Sequence, residues 1–420
     1  MIVSLLDTDL YKLTMQAAIH KHYSNIDCEF TLTNRTPEKK FTKIAIDWLI
    51  EEINNLSNLR FTDDEINYLH EKLPYLTQDH LNWLKTVKLT PNDEITINLI
   101  PEDNNNDEDD TLYDITISVH GKWEIVTLYE IPVLALVSEC YFKFIDTNWT
   151  INNQPSTDEL ITKLSNSKCL KLIENNCKFS EFGTRRRRSF QVQENVIKGM
   201  PHNDLVLGTS NVYFAKKYGF NPIGTIGHEW MMGVGAILST KQNNGYNGYL
   251  MANKLSIEQY ADTVGKENVG LALTDTYGTK SFLKIFKPFA NWYIGVRQDS
   301  GDPYEYAKMI KNWYNEININ NKIICFSDSL NVDKCIKLKE FCDNINIGCS
   351  FGIGTSFTND FDSSPMNIVI KLKSCGGGNA IKISDNWGKN MGDQLTIDNV
   401  KKLLGYVENK WDEGDESKRW

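Results

Sequence analysis

The chain has 420 residues, 41% of them hydrophobic and 11% aromatic, which supplies a large core and excludes general disorder. Its formal charge is -10, from 45 Lys+Arg against 55 Asp+Glu, so nucleic-acid binding by bulk electrostatics is excluded. At roughly 100–200 residues per domain, the length predicts two or three domains, or one large α/β unit with attachments.

Asp7 or Asp9 can cap a first helix whose apolar stripe is Leu6, Leu10, Leu13 and Ala17. Further on, Ile95, Ile97 and Leu99 alternate with polar residues, as do Tyr113, Ile115, Ile117 and Val119. This predicts two antiparallel strands, each with one buried face. Their connection, 102–110, consists of acidic residues and asparagines, and reads as a solvated hairpin tip rather than a metal site. The first part of the chain thus reads as an α+β domain.

Near Phe179 the pattern changes to short apolar runs alternating with helical stretches. The runs are 177–182, 205–207, 222–226, 269–274, 292–297, 323–327 and 349–353. Amphipathic helices at 304–317 and 332–341 fall between them. Strand-then-helix units in such number imply a parallel sheet covered by helices, and favour a closed barrel over an open sheet. Beyond Val369 a glycine-rich turn, 375–379, sits between two further strand-like runs, 366–372 and 380–384. A helix near 397–407 and a charged tail, 408–420, close the chain. No continuous apolar run reaches the roughly 18 residues of a membrane span. Met1–Asp7 lacks the features of a secretory signal, and a cytoplasmic protein is expected. The nine cysteines include no CxxC pair, so buried thiols are expected rather than disulfides or a zinc site.

In parallel α/β folds ligands bind at the carboxyl ends of strands. The residues following the runs form an unusual rim. They include Phe182-Gly183-Thr184 with Arg185–Arg188, Gly208–Asn211, Gly227-His228-Glu229, Arg297–Pro303, Ser327-Asp328-Ser329 and Gly352–Ser356. Gly352 and Gly354 let backbone N–H groups approach a phosphate, and Thr355 can add a hydroxyl donor, although many ordinary turns share this pattern. Arg185 stands where bidentate phosphate binding is natural, while Arg186–Arg188 can be structural or face solvent. Asp299 can accept ribose hydroxyls or bind a divalent cation, whereas Asp302 fits a helix cap before Pro303. His228 can be a structural histidine, a base or a phosphoryl acceptor. These residues describe a phosphate- and sugar-binding rim and do not name a reaction.

Taken together the segments resemble the nicotinate phosphoribosyltransferase family. The resemblance rests on Leu5–Met15, Tyr129–Pro132 with Ser138-Glu139, Glu181–Arg187, Gly208–Asn211, Gly224–Trp230, Arg297–Pro303, Phe326–Leu330, Phe351–Asp360 and Met366–Leu372, in that order. It implies an irregular α/β (TIM-like) barrel with a smaller α+β domain built from N- and C-terminal segments, as in type II phosphoribosyltransferases. Its divisions would be 1–122, 123–356 and 357–420. It implies formation of nicotinate mononucleotide and pyrophosphate from nicotinate and 5-phosphoribosyl-1-pyrophosphate, with ATP hydrolysis coupled through a phosphohistidine and Mg²⁺ as cofactor. A homodimer with shared active sites is expected, without nucleic-acid or membrane partners.

By the same resemblance His228 is the phosphorylated histidine, and Arg297 and Asp299 hold ribose and pyrophosphate. Phe182 stacks on the pyridine ring, with Tyr11 of the other subunit on the opposite face. Arg185 sits near ring and phosphates. Asp328, Gly352, Gly354 and Thr355 cradle the 5′-phosphate, and Arg35 and Lys389 reach pyrophosphate across the dimer. Ser210 stands where an amide-using relative carries Asp, which favours the acid substrate. The competing expectations are use of nicotinamide or quinolinate on the same fold, and a catalytically inactive ligand sensor.

Overall fold

A computed structural model describes residues 1–102, 111–241, 244–386 and 390–406. Most of the acidic connection, Lys389 and the charged tail lie outside the described residues.

The first three strands are β1 (Asp27–Asn34), β2 (Ile95–Pro101) and β3 (Tyr113–Lys122). β2 and β3 are antiparallel, with Ile97 opposite Ile117, as the alternation predicts. Ile115, Ile117 and Val119 of β3 are buried. The matching residues of β2 are only half-buried, because β2 is the edge of its sheet. A short hairpin, β4 (Thr150–Ile151) and β5 (Gln154–Pro155), follows.

Six parallel strands come next: β6 (Phe179–Glu181), β7 (Val206–Thr209), β8 (Leu271–Leu273), β9 (Gly295–Gln298), β10 (Ile323–Phe326) and β11 (Gly348–Ile353). They pair in the order β7-β6-β11-β10-β9-β8. Each lies within one of the predicted runs, give or take a residue or two. Helices Pro303–Glu316 and Val332–Asn344 cover them, the first capped by Asp302 through Tyr304 N and Glu305 N. The run at 222–226 forms no strand and makes a single bridge, Pro222 to Thr209. The reason is local: a Cβ on Gly224 would lie 3.0 Å from both Leu10 Cβ and Tyr11 N, so the opening helix packs here. The fold is an irregular, barrel-like α/β unit.

The chain then returns to its beginning. β12 (Ile368–Cys375) pairs antiparallel with β1, and β13 (Gly378–Asn379) pairs with β12. Gly376 and Gly377 take positive φ (56° and 80°) in the turn between them. The second arm of this hairpin falls inside the predicted turn, and the predicted run 380–384 forms no strand. After β13 the chain leaves the sheet, bridging Ile383 to Tyr277 and Lys382 to Met391. The resulting sheet has the order β13-β12-β1-β3-β2. The helical segment Trp123–Phe144 packs against β1, β3 and β12. It is long and apolar enough to cross a membrane by composition, yet 83% of its apolar window is buried inside this fold. The nine cysteines are free and buried.

Candidate active site

A cleft of about 210 Å³ opens at the carboxyl ends of the parallel strands. Its walls bring together His228, Arg297, Asp299, Tyr11, Phe182, Arg185, Ser210, Asp328, Gly352, Gly354, Thr355 and Arg35. Of the site residues expected from sequence, only Lys389 is missing from this group, and it lies outside the described residues.

One end of the cleft is aromatic. Phe182 follows β6, and its ring covers Gly352, where a Cβ would come within 2.4 Å of ring carbons. Gly352 is therefore needed by the ring as well as by any phosphate. The Tyr11 ring covers Gly227 in the same way, at 2.8 Å, and its hydroxyl donates to Glu130 Oε2 at 3.2 Å. One arrangement was not expected from the sequence. Tyr11 and Arg35, expected to act across a subunit boundary, line the cleft of their own chain. Backbone hydrogen bonds hold the opening segment there: Leu10 N to Ser210 O (2.8 Å), Val212 N to Thr8 O (3.0 Å) and Tyr213 N to Leu6 O (2.8 Å).

Ser210 follows β7 as Phe182 follows β6, and its N–H donates to Glu181 O at 2.8 Å. Its hydroxyl donates to Asp9 Oδ1 at 2.8 Å. Asp9 occupies the cap position of the first helix but makes no side-chain cap. Burial raises its carboxyl above the usual range, against the hydroxyls of Ser210 and Thr184 and the charge of Arg185. A serine at 210 thus does not free this corner of carboxylate, and Arg185 is the cation that balances it.

The arginine run divides. Arg185 and Arg186 line the cleft, with Arg186 also donating to Ile368 O and Asn367 Oδ1. Arg187 is fully buried and forks onto both oxygens of Asp7 at 2.8 and 2.9 Å. Arg188 is fully buried between the rings of Phe142 and Phe361, at 3.9 and 4.0 Å, and burial pushes it down to about 10. Of the two alternatives for this stretch, a structural role or a solvent-facing one, these two arginines take the structural one.

His228 begins helix His228–Thr240. Its Nδ1 lies 2.9 Å from Thr276 Oγ1, and its Nε2 lies 3.0 Å from Asp299 Oδ2 and 2.8 Å from Lys382 Nζ. Burial, then Lys382, pushes the imidazole down to about 4, against the pull of Asp275 and Asp299. It is therefore neutral at physiological pH, which a nucleophile requires. Arg297 donates to Ser327 Oγ (2.7 Å), Thr225 Oγ1 (2.8 Å) and Asp299 Oδ1 (2.9 Å). Burial works against ionised Asp299, but Arg297, His228 and Lys382 hold it well below the usual carboxylate range.

Among the described residues, His228, Asp275 and Asp299 place donor atoms within 4.8 Å of one another. They do not fit the expected Mg²⁺. That ion wants octahedral oxygen ligands, and here Lys382 Nζ already stands 3.2 Å from Asp275 Oδ2 and beside the histidine.

Sequence reasoning missed Asp275, Lys382, Asp9 and Lys371. Asp275 was within reach of the strand-end rule, since it directly follows the run 269–274. Lys371 is on β12 and Lys382 lies beyond β13, so only the returning chain brings them to the cleft. Burial, then Lys382, pushes Lys371 down to about 7.

Comparison with known proteins agrees with this geometry. Residues 177–408 match the nicotinate phosphoribosyltransferase (NAPRTase) family, and residues 6–138 match the NAPRTase N-terminal domain. The chain is 44% identical to the nicotinate phosphoribosyltransferase of Saccharomyces cerevisiae, over 100% of this chain and 99% of that one. It is 39% identical to that of Methanosarcina mazei, over 96% and 98%. A solved structure from Saccharomyces cerevisiae superposes with a TM-score of 0.90 at 44% identity, covering 97% and 99% of the two chains. The nicotinate phosphoribosyltransferase of Porphyromonas gingivalis superposes with a TM-score of 0.85 at 32% identity, covering 96% and 100%.

Proposed function

The chain belongs to the nicotinate phosphoribosyltransferase family, and from that premise we propose that it joins nicotinate to 5-phosphoribosyl-1-pyrophosphate, with ATP hydrolysis coupled through phosphorylated His228. One observation carries the proposal. A single cleft joins an aromatic end, Phe182 and Tyr11, to Gly352 and Gly354 at the end of β11 and to a neutral histidine beside Arg297 and Asp299.

In this reading Phe182 and Tyr11 hold the pyridine ring, and Arg185 faces the nicotinate carboxylate. Backbone N–H groups at Gly352, Gly354 and Thr355, with Asp328 nearby, receive the ribose phosphate end. Asp299 accepts from ribose hydroxyls, and Arg297 holds it in place. As pyrophosphate departs, the ribosyl carbon gains positive character and the leaving oxygens gain negative charge. In this reading Arg185 and Arg35 meet that charge. Holding the ring nitrogen near the ribosyl carbon supplies proximity. Hydrolysis of the phosphohistidine draws the transfer forward, and the product feeds NAD synthesis by salvage.

The test is mononucleotide formation from nicotinate, nicotinamide and quinolinate, each with and without ATP. We expect turnover of nicotinate alone, raised by ATP, and loss of the ATP effect in His228→Asn with weak ATP-independent transfer remaining. Preference for either other pyridine overturns the substrate. Full ATP stimulation in His228→Asn overturns the phosphohistidine.

A further inference from the structure

Asp275 and Asp299 face the same imidazole nitrogen. Nε2 of His228 lies 3.6 Å from Asp275 Oδ1 and 3.0 Å from Asp299 Oδ2. Two carboxylates so placed favour an imidazolium, which has no lone pair and cannot attack phosphorus. A third charge alters the balance. Lys382 Nζ lies 2.8 Å from Nε2, 3.2 Å from Asp275 Oδ2 and 3.9 Å from Asp299 Oδ2, and the residue is 5% exposed.

We propose that Lys382 supplies the positive charge that this carboxylate pair demands, leaving His228 a neutral imidazole with its Nε2 lone pair toward the cleft. Lys382 is thus a positioning residue for phosphoryl transfer, an inference that rests on the phosphohistidine reading above.

The surroundings support this on every side. Lys382 and Asp299 line the cleft, whereas Thr276, opposite Nδ1, is buried and does not, so Nε2 is the nitrogen on the cleft side. Thr276 Oγ1 can accept a proton held on Nδ1. The same residue's carbonyl accepts Ile383 N at 2.7 Å, so the segment that delivers Lys382 is tied to the residue on the far side of the ring. Arg297 is engaged with Asp299, and Glu229 accepts from Lys12, Trp123 and Thr127. His228 opens a helix, whose positive end also disfavours an imidazolium. The downward push on the imidazole, with Lys382 second only to burial among its causes, agrees.

The step balances. The Nε2 lone pair forms a bond to the terminal phosphorus of ATP. The P–O bond to the β-phosphate breaks, and its electron pair leaves with ADP. Nδ1 keeps its proton. Lys382, freed from Nε2, faces the new phosphoryl oxygens.

The experiment follows the His228 imidazole by ¹⁵N NMR titration in the full-length protein, in wild type, Lys382→Met and Lys382→Arg. Lys382→Gln serves if the Met variant does not fold. We expect the uncharged variants to raise the His228 pKa by about one to three units, with Lys382→Arg staying near wild type. Labelling with γ-phosphate-labelled ATP should give acid-labile phosphoenzyme in wild type at mildly acidic pH. The uncharged variants should give it only at more alkaline pH. A merely structural lysine would lower labelling equally at all pH. An unshifted His228 in the uncharged variants overturns the role of Lys382. A wild type that forms no phosphoenzyme at any pH overturns the phosphohistidine reading instead.

Discussion

Arg185, Arg186, Arg187 and Arg188 are adjacent in sequence and separate in environment. The chain turns through a short 3-10 helix, Thr184–Arg186, between β6 and helix Phe190–Gly199, and so points successive side chains in different directions. Arg187 and Asp7 are both fully buried, so removing one leaves the other as an unpaired charge. Arg187→Leu is expected to cost about 3–5 kcal/mol, read as a lower urea midpoint. Arg185→Ala, on the cleft wall, should lose nicotinate turnover at a smaller cost in stability than Arg187→Leu. The opposite pattern would reverse the assignment. Residue type and place were legible here: Gly-Thr-Arg after an apolar run marks a strand end. Which of four arginines turns inward was not, because that depends on Asp7, Asn359 and Ser363 arriving from elsewhere.

Elements were the most legible scale. Period-two alternation located β2 and β3, and the apolar runs located the parallel strands, because these patterns are what a half-buried and a fully buried strand require. The run at 222–226 misled for a tertiary reason, the docking of the opening helix on Gly224. That opening helix also carries a titratable contact. His20 stacks on Trp83 at 4.0 Å, and His80, from helix Gln78–Leu84, lies 5.5 Å from the same ring. Burial, then His20, pulls His80 down to about 4, and neither ring nitrogen has a hydrogen-bond partner among the described residues. Below about pH 6.5 the unfolded chain binds a proton that folded His80 refuses. Stability therefore falls as pH drops from about 6.5 to about 4, by up to about 3 kcal/mol from this group. His80→Phe should be neutral or stabilising at pH 7 and gain further on wild type at pH 5, by urea denaturation at both. His228 tilts both proteins alike, so the difference isolates His80, and parallel curves would refute the assignment.

The whole molecule settles where the cleft gets its charge. The rim was expected to draw its cations from the arginine run and Arg297. Two of the run's four arginines, Arg187 and Arg188, are buried elsewhere. Arg35, just past β1, Lys371 on β12 and Lys382 beyond β13 line the cleft from the other sheet instead. An overall charge of -10 coexists with such a wall because it is assembled from distant segments. Tyr11 and Arg35 also share one chain with Arg297. If the cleft is completed within one chain, mixing Tyr11→Ala with Arg297→Ala protein restores no activity. Recovery on mixing would show that a site is shared between chains.

Fold class and the strand-end rim were determined by the sequence alone, because burial imposes periods and parallel strands impose an end at which ligands bind. The family was legible too, since its motifs are local. Tertiary structure decided what no local pattern contains. It set Ser210 against Asp9, put Arg187 on Asp7, and drove Lys382 between two carboxylates and His228. Each is a contact between charges or dipoles far apart in sequence, and its strength depends on distance and burial that only the folded chain sets.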